Sequence, residues 1–307
     1  MKKHNPTTKS PLATDSVCSA IQLQVQAKEQ MLGGLNIRRS LPARGARRIG
    51  PWVFFDHMGP TRFPAKHGVD IAPHPHINLA TVTYLLEGEM LHQDSVGSVQ
   101  SIRPGDINLM VAGSGITHSE RQSEATKSQS HRIHGFQLWL ALPSEAEETD
   151  PAFYHYPSQQ IPALTIEGVR LRVLMGTAYG VTSPVKTFSP TLYVEAQIKT
   201  GQTLAIPAAA MRGLYIVSGQ VKIGDTQLTE HTFAVLNDQQ NISITAKSDS
   251  QIVILGGDDI GHRYMDWNFV SSRIERVKQA RQQWISQQFP LIPTDQQEYI
   301  PYPDLNI

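Results

Sequence analysis

Two motifs decide how this chain folds: His74-Pro-His76 and Gly113-Ser-Gly-Ile-Thr-His118-Ser-Glu120. The apolar runs Leu79 to Leu86 and Ile107 to Ala112 lie between them. Side chains two positions apart on a β-strand point to the same face of a sheet, so each motif presents two potential ligands on one side. Two such strands facing each other would bring three imidazoles and one carboxylate to one point. The sequence therefore predicts a metal site formed by His74, His76, His118 and Glu120, with positions left for water or substrate.

The ligand types do not select the metal ion. Three neutral imidazoles and a carboxylate suit Fe(II), Mn, Co, Ni, Cu or Zn. The single cysteine, Cys18, excludes an intramolecular disulfide and a structural zinc site made of thiolates. A chain with so little cysteine fits a reducing compartment.

The length and charge of the chain narrow the protein class. The 307 residues suffice for two domains of about 150 residues each, or for one large β domain. Lys and Arg together number 27, as do Asp and Glu, and this zero net charge argues against direct nucleic-acid binding. No apolar run reaches the length that crosses a bilayer, and the N-terminus lacks the apolar core of a secretory signal. We therefore expect a soluble, cytoplasmic protein with no membrane or nucleic-acid partner.

Short strands separated by turns recur along the chain, which is typical of an all-β sandwich or barrel. Two of the expected strands are Ile21 to Val25 and Phe136 to Leu142. The basic segment Arg38 to Arg48 is expected to be a solvated loop rather than an anion site. Near the C-terminus, Ser272-Arg-Ile-Glu275 reads as a capping box that opens an amphipathic helix over Ser272 to Gln288.

The second half of the chain repeats the first without its ligands. Tyr84-Leu-Leu-Glu-Gly88 matches Tyr215-Ile-Val-Ser-Gly219, an offset of 131 residues. The same offset places Ala205 and Pro207 where His74 and His76 stand in the first copy. The predicted organisation is a flexible tail at 1–20, a metal-binding domain at 21–145, a domain without metal ligands at 146–262, and a C-terminal helix and tail at 263–307.

Other polar and aromatic residues have a structural interpretation beside a functional one. His92 and Asp94 are candidates for contacts with the metal ligands or for the pocket rim, although a surface hairpin is preferred. His57 fits a hydrogen-bonded structural histidine, and His131 and His134 receive no role. A set of apolar side chains is first of all core, with some members available to line a pocket: Phe54, Phe55, Met110 and Trp139.

These motifs together resemble the pirin family of the cupin superfamily. The resemblance extends from about residue 30 to residue 288 and rests on the two ligand motifs and on further segments: Thr83-Tyr-Leu-Leu-Glu-Gly88, His92-x-Asp94, Pro104-Gly105, Phe136-Gln-Leu-Trp139 and Pro190-Thr-Leu-Tyr193. It implies a bicupin, in which two antiparallel β-barrels of the jelly-roll type face each other and a C-terminal amphipathic helix packs back on them. It also implies a metal in the N-terminal barrel alone.

The resemblance implies a ligand set and two functions. His74, His76, His118 and Glu120 would bind a divalent metal that is usually iron, with other divalent ions in bacterial relatives. One function is a quercetin 2,3-dioxygenase type of enzyme, which opens a flavonol ring with O₂ and in which Glu120 would also serve as general base. The other is a redox-sensing protein that binds a transcription factor or a metabolic enzyme. The residues favour the enzyme, and a merely structural metal is a third alternative.

Overall fold

The computed structural model of the protein describes residues 20–238 and 241–303. Cys18 and all but the last residue of the predicted tail at 1–20 lie outside the described residues. Antiparallel strands make up most of the described chain, which confirms the predicted all-β fold. Of the helices in these ranges, none is long and apolar enough to cross a bilayer.

The strands are short and follow one another closely. In chain order, the first thirteen are β1 (Ile21–Gln26), β2 (Lys28–Leu32), β3 (Leu35–Leu41), β4 (Trp52–Phe63), β5 (Asp70–His76), β6 (Leu79–Glu87), β7 (Met90–Asp94), β8 (Val99–Ile102), β9 (Ile107–Val111), β10 (Ile116–Arg121), β11 (His131–Ala141), β12 (Ala152–Tyr156) and β13 (Ala163–Ile166). The remaining strands are β14 (Val169–Met175), β15 (Thr177–Ala178), β16 (Val181–Thr182), β17 (Thr191–Ile198), β18 (Thr203–Ala205), β19 (Met211–Ser218), β20 (Gln220–Ile223), β21 (Thr226–Thr229), β22 (Thr232–Leu236), β23 (Ser243–Ala246), β24 (Ser250–Gly257), β25 (Tyr264–Asp266) and β26 (Phe269–Ser271). Two α-helices, α1 (Glu124–Lys127) and α2 (Ile274–Ile285), and a short 3₁₀ helix, Ser158–Gln160, complete the described elements.

The strands form two similar jelly-roll domains. In the first, a seven-stranded sheet with the order β12-β9-β6-β11-β4-β3-β2 packs on a four-stranded sheet with the order β5-β10-β7-β8. In the second, the orders are β1-β22-β19-β24-β17-β14-β13 and β18-β23-β20-β21. Tyr84 on β6 and Tyr215 on β19 occupy the same place in the two large sheets, as the internal repeat predicts. The bicupin architecture is confirmed.

Each domain borrows one edge strand from beyond the predicted boundary. β1 pairs with β22, so Ile21–Gln26 completes the large sheet of the second domain rather than that of the first. β12 pairs with β9, so Ala152–Tyr156 completes the large sheet of the first domain. The predicted boundaries at residues 21 and 146 therefore do not follow the sheets. An edge strand has the same alternating pattern whichever sheet it joins, and the sequence pattern could not show this exchange.

The outer faces of the two large sheets pack against each other through aromatic side chains. Phe55 lies 4.8 Å from Tyr215 between ring centroids, and Trp52 lies 5.7 Å from Tyr193. The buried indole of Trp52 donates hydrogen bonds to the carbonyls of Leu192 and Gly256, at 3.2 and 3.1 Å. An extensive apolar contact of this kind holds the two domains as one unit.

The C-terminal helix α2 is present but begins differently from the prediction. Its N-cap is Arg273, and no side chain caps it. Ser272 does not form a capping box, because its hydroxyl donates instead to Glu147 Oε2 at 2.8 Å. The apolar face of the helix packs on Ile77 and Phe269, next to the first domain, through three buried residues: Val277, Ala280 and Trp284.

Candidate metal centre

The three predicted histidine ligands meet inside the first domain. His74 and His76 lie on β5, and His118 lies on β10 directly opposite His74 in the antiparallel register. All three side chains are buried. One ligand nitrogen from each histidine lies within 4.8 Å of the other two. The structure thus brings His74, His76 and His118 together at one point.

The protonation of these rings suits a cation. Burial lowers the pKa of His74 to about 4 and holds the pKa values of His76 and His118 well below their usual value, so the rings are neutral near pH 7. His76 Nδ1 lies 3.1 Å from the carbonyl oxygen of Asn268, and His74 Nδ1 lies 2.9 Å from that of Ala72. A carbonyl can only accept, so each Nδ1 carries the proton and each Nε2 keeps a free lone pair.

Two buried ring nitrogens in this cluster have no hydrogen-bond partner among the described residues. Nε2 of His76 and Nε2 of His118 make no hydrogen bond to the described residues. Leaving a buried polar atom without a partner costs about 1–3 kcal/mol, so such atoms require an explanation. A divalent metal ion would satisfy both lone pairs, and the residues present therefore fit the metal that the sequence predicts.

Glu120 lies beside the histidines but is held differently. It follows His118 on β10 after an irregularity in the register, and its side chain lines the same cavity. The group whose ligand atoms lie within 4.8 Å of one another, among the described residues, contains the three histidines and not this carboxylate. The role of Glu120 as a fourth ligand and as a base therefore stays a prediction. Burial raises the pKa of Glu120 to about 7, opposed by a hydrogen bond from Gln137.

Gln137 fixes the position of that carboxylate. Its Nε2 donates to Glu120 Oε1 at 2.8 Å, and its Oε1 accepts from Thr83 Oγ1 at 2.7 Å. The hydroxyl donor of Thr83 sets which end of the amide faces Glu120. Sequence reasoning assigned Gln137 no role. The available signal was a polar residue between Phe136 and Leu138, on the opposite face of β11 from those two side chains.

His92 and Asp94 were preferentially interpreted as a surface hairpin, and this was wrong. They are 5% and 0% exposed, because β7 pairs with β10 and turns both side chains inward. His92 Nε2 lies 2.8 Å from Asp94 Oδ2, and His92 Nδ1 lies 3.5 Å from Nδ1 of His118. Asp94 Oδ1 also accepts from the backbone N–H groups of Val96 and Ser98, which anchors the carboxylate. The His92–Asp94 pair therefore contacts the His118 ring on its Nδ1 side.

A cavity of about 390 Å³ opens beside the histidines and Glu120. Phe54 and Trp139 stack in its wall with ring centroids 3.9 Å apart. The other two members of the predicted aromatic and apolar set lie elsewhere: Phe55 packs in the interface between the domains and Met110 in the core of the first domain. Trp267 and Asn268, from the segment that follows the second domain, close another side of the cavity.

An ion pair also lines this cavity. Arg39 donates from Nε and Nη2 to the two carboxylate oxygens of Asp56, at 2.8 and 2.7 Å. The guanidinium of Arg39 lies 4.2 Å from the ring centroid of Phe54. The sequence interpretation placed Arg38 and Arg39 in a solvated loop, whereas both lie on β3. Arg39 stands opposite Asp56 on β4, and this cross-strand partner is the reason that the charge is tolerated there.

The second domain has an interior of a different kind. Aliphatic side chains fill it, among them Leu192, Leu214, Ile244 and Ile254. Ala205 lies at the end of β18, and the described part of this domain contains no cluster of metal-ligating side chains.

Known proteins resemble the chain over nearly its whole length. The family model described as Pirin matches residues 34–140, and the model described as Pirin C-terminal cupin domain matches residues 193–290. A pirin-like protein of Caulobacter vibrioides is 40% identical over 288 residues, which cover 92% of this chain and 100% of that protein. Pirin of Homo sapiens is 32% identical over 274 residues, covering 85% of this chain and 90% of that one. A crystal structure of quercetin 2,3-dioxygenase from Acinetobacter baumannii has a TM-score of 0.86 at 35% identity, covering 93% of this chain and 96% of that one.

Proposed function

The chain belongs to the pirin family, a branch of the cupin superfamily, and from that premise we propose that it is a metal-dependent dioxygenase of the quercetin 2,3-dioxygenase type. The substrates would be a flavonol-like small molecule and O₂. One observation carries the proposal: three neutral imidazoles, two of them with unpartnered nitrogens, lie beside a carboxylate in an apolar cavity. Relatives that carry the quercetin 2,3-dioxygenase name support it.

The metal would be held by His74, His76 and His118, with Glu120 as a fourth ligand. Fe(II) is the first candidate, and Zn, Ni, Mn, Co and Cu are alternatives. When bound, such an ion supplies Lewis-acid polarisation and, for a redox-active metal, electron transfer.

The remaining steps are assigned to the side chains of this protein. The stacked pair Phe54 and Trp139 offers a flat apolar wall against which a planar substrate can lie. Glu120 faces the same cavity and would accept the proton of a substrate hydroxyl at one of its carboxylate oxygens. Gln137 occupies Oε1 of that carboxylate, so Oε2 is the atom proposed to take the proton. The buried walls would exclude water during the reaction.

The test is metal-dependent oxygen uptake with quercetin. The wild-type protein is reconstituted with Fe(II), its metal content is measured, and its oxygen uptake is compared with that of His118→Ala. A matched control is His67→Ala, because His67 is an exposed histidine of the same domain. We expect uptake in the wild type and the control and loss of both metal and uptake in His118→Ala. Equal rates in all three proteins, or no uptake by metal-loaded wild type, would refute the enzyme.

The redox-sensing alternative predicts a different result. Metal-loaded protein would then take up no oxygen with quercetin but would bind different partner proteins in its oxidised and reduced forms. The metal identity, the cytoplasmic location and any protein partner stay predictions of the sequence.

A further inference from the structure

A row of polar side chains crosses the large sheet of the first domain on its cavity side. Its members are cross-strand neighbours on four successive strands: Thr83 on β6, Gln137 on β11, Asp56 on β4 and Arg39 on β3. Neighbours of this kind lie on the same face of a sheet. The rows on either side are apolar where they line the cavity, with Phe54 and Trp139 in one and Met58 and Ile37 in the other.

The two ends of this polar row differ in their contacts. At the inner end, Gln137 donates to Glu120 beside the three histidines. At the outer end, Asp56 and Arg39 form their bidentate ion pair. Neighbouring strands lie about 4.8 Å apart, so Arg39, two strands from Gln137, stands roughly 10 Å away along the row. That length is comparable with a small polycyclic aromatic molecule.

The ion pair in this wall is buried at its Asp56 end and partly exposed at its Arg39 end, and such a pair is a weak source of stability. The side chain of Asp56 is only 4% exposed, and burial raises its pKa while Arg39 opposes that rise. A buried ion pair is often no more stable than well-packed apolar residues of similar volume. Polar groups placed in an otherwise apolar cavity, by contrast, orient and select ligands.

We propose that Arg39 and Asp56 form a distal subsite that binds a phenolic hydroxyl of a planar aromatic ligand whose other end lies at the three histidines. The Asp56 carboxylate accepts the phenolic O–H, and Arg39 Nη1, which does not contact Asp56 in the ion pair, donates to the phenolic oxygen. This inference rests on the proposed function and deepens it. The substrate class becomes a polyhydroxylated aromatic, with oxygen atoms at the metal end and a hydroxyl at the far end.

The test compares two ligands that share a ring system. Quercetin carries hydroxyls on its outer rings, whereas 3-hydroxyflavone keeps only the oxygens of the central ring. Equilibrium binding to metal-loaded protein is measured without oxygen, by quenching of tryptophan fluorescence. The variant Arg39→Gln/Asp56→Asn removes both charges and keeps side chains of similar size. Its matched control is Lys199→Gln/Asp249→Asn, an exposed ion pair of the second domain.

We expect the Arg39→Gln/Asp56→Asn variant to bind quercetin at least about tenfold more weakly than wild type, since hydrogen bonds to charged groups are lost. Its affinity for 3-hydroxyflavone and both affinities of the control should stay within about twofold. Equal loss for the two ligands would show a structural role only, and unchanged quercetin affinity would also overturn the subsite. If the double variant fails to fold, Asp56→Asn alone is measured against the same criteria.

The outcomes separate this subsite from the proposed function. Wild type that discriminates between the ligands through Arg39 and Asp56, but consumes no oxygen, would refute the dioxygenase and leave the subsite standing. If the wild type consumes oxygen but the double variant binds quercetin as tightly as the wild type, the subsite is refuted and the dioxygenase stands. Failure of the metal-loaded wild type to bind either compound would overturn the subsite.

Discussion

Gln137 Nε2 donates a 2.8 Å hydrogen bond to Glu120 Oε1, and this bond joins the two sheets of the first domain beside the three histidines. Gln137 stands on β11 in the large sheet, and Glu120 stands on β10 in the small sheet. The second domain, which lacks the histidines, also contains a bond from a glutamine amide to a glutamate. It runs from Gln251 Nε2 to Glu195 Oε1 at 2.8 Å, between two neighbouring strands of the large sheet.

If Glu120 is the fourth ligand, replacement of Gln137 by leucine should weaken metal binding and oxygen uptake by about 10–100-fold, because it removes the hydrogen-bond donor that supports this carboxylate. Thr83→Val should have a smaller effect, since the amide remains but can rotate. Metal affinity is measured by competition with a chelator. Gln251→Leu is the matched control, and it should leave both quantities unchanged. Unaltered metal affinity in Gln137→Leu would mean that Glu120 needs no such support.

Metal binding should stabilise the folded protein. A ligand at about 100 times its dissociation constant adds about 2.7 kcal/mol to the free energy of unfolding when only the folded state binds it. We expect this increase in urea melts of the wild type and of His67→Ala, and its absence in His76→Ala. A similar increase in His76→Ala would place the bound ion away from the three histidines.

A buried histidine between the domains should make stability depend on pH. His57 Nδ1 lies 2.9 Å from the hydroxyl of Tyr215, and its Nε2 lies 2.7 Å from Nε2 of His134. Burial, and after it the charges of His134, Arg38 and His231, lower the pKa of His57 to about 2. As the pH falls, the unfolded chain therefore binds a proton at His57 at a higher pH than the folded protein does. The contribution of neutral, buried His57 to the free energy of unfolding is complete above the unfolded pKa of about 6.5. It is lost as the pH falls below that value.

The variant His57→Gln isolates this contribution. Between pH 7 and pH 5.5 the wild type should lose about 1.2 kcal/mol more stability than the variant, because only the wild type carries this titrating group. The free energies come from urea melts of metal-free protein, so that no bound ion contributes to the difference. Parallel stability curves for the two proteins would show that His57 is protonated alike in the folded and unfolded states.

The contact between the first domain and the C-terminal segment depends on the buried carboxylate of Glu147. Glu147 Oε1 lies 3.0 Å from Arg263 Nε, with both side chains almost fully buried. Glu147 also accepts hydrogen bonds from the hydroxyls of Ser271 and Ser272. Glu147→Gln should lower the free energy of unfolding by about 3 kcal/mol, because it leaves the guanidinium of Arg263 buried without its counter-charge.

The neighbouring Glu148 provides the control for that measurement. It forms ion pairs with Arg273 and Arg276 while its side chain stays 40% exposed. Glu148→Gln should therefore cost less than about 1 kcal/mol. Denaturant melts of the two variants side by side give both values, and equal losses would contradict the distinction between the buried and the exposed pair.

The sequence was sufficient for the features that depend on local spacing. His74, His76 and His118 could be placed on one side of a sheet because the two-residue period of a strand fixes the face. The 131-residue offset likewise located Ala205 in the second domain and predicted a domain without the first pair of histidine ligands.

The features that the sequence did not reveal depend on partners far away in the chain. Arg39 resembles part of a solvated basic run until Asp56 is seen opposite it on the next strand. Ser272 has the spacing of a capping residue, but its hydroxyl donates to Glu147, which lies 125 residues earlier in the chain. Cross-strand pairing and long-range hydrogen bonds of this kind are not encoded in any local period.

The contact between His76 and the Asn268 carbonyl spans 192 residues of the chain. A ribosome releases the first jelly roll long before it reaches residue 268, so a nascent chain holds His76 without the acceptor that orients its ring. The strand Ile21–Gln26 likewise cannot pair until its partner strand, Thr232–Leu236, has been synthesised. A metal ion at the three histidines would therefore be held by a correctly oriented His76 only after residue 268 has been synthesised and has folded against the first domain.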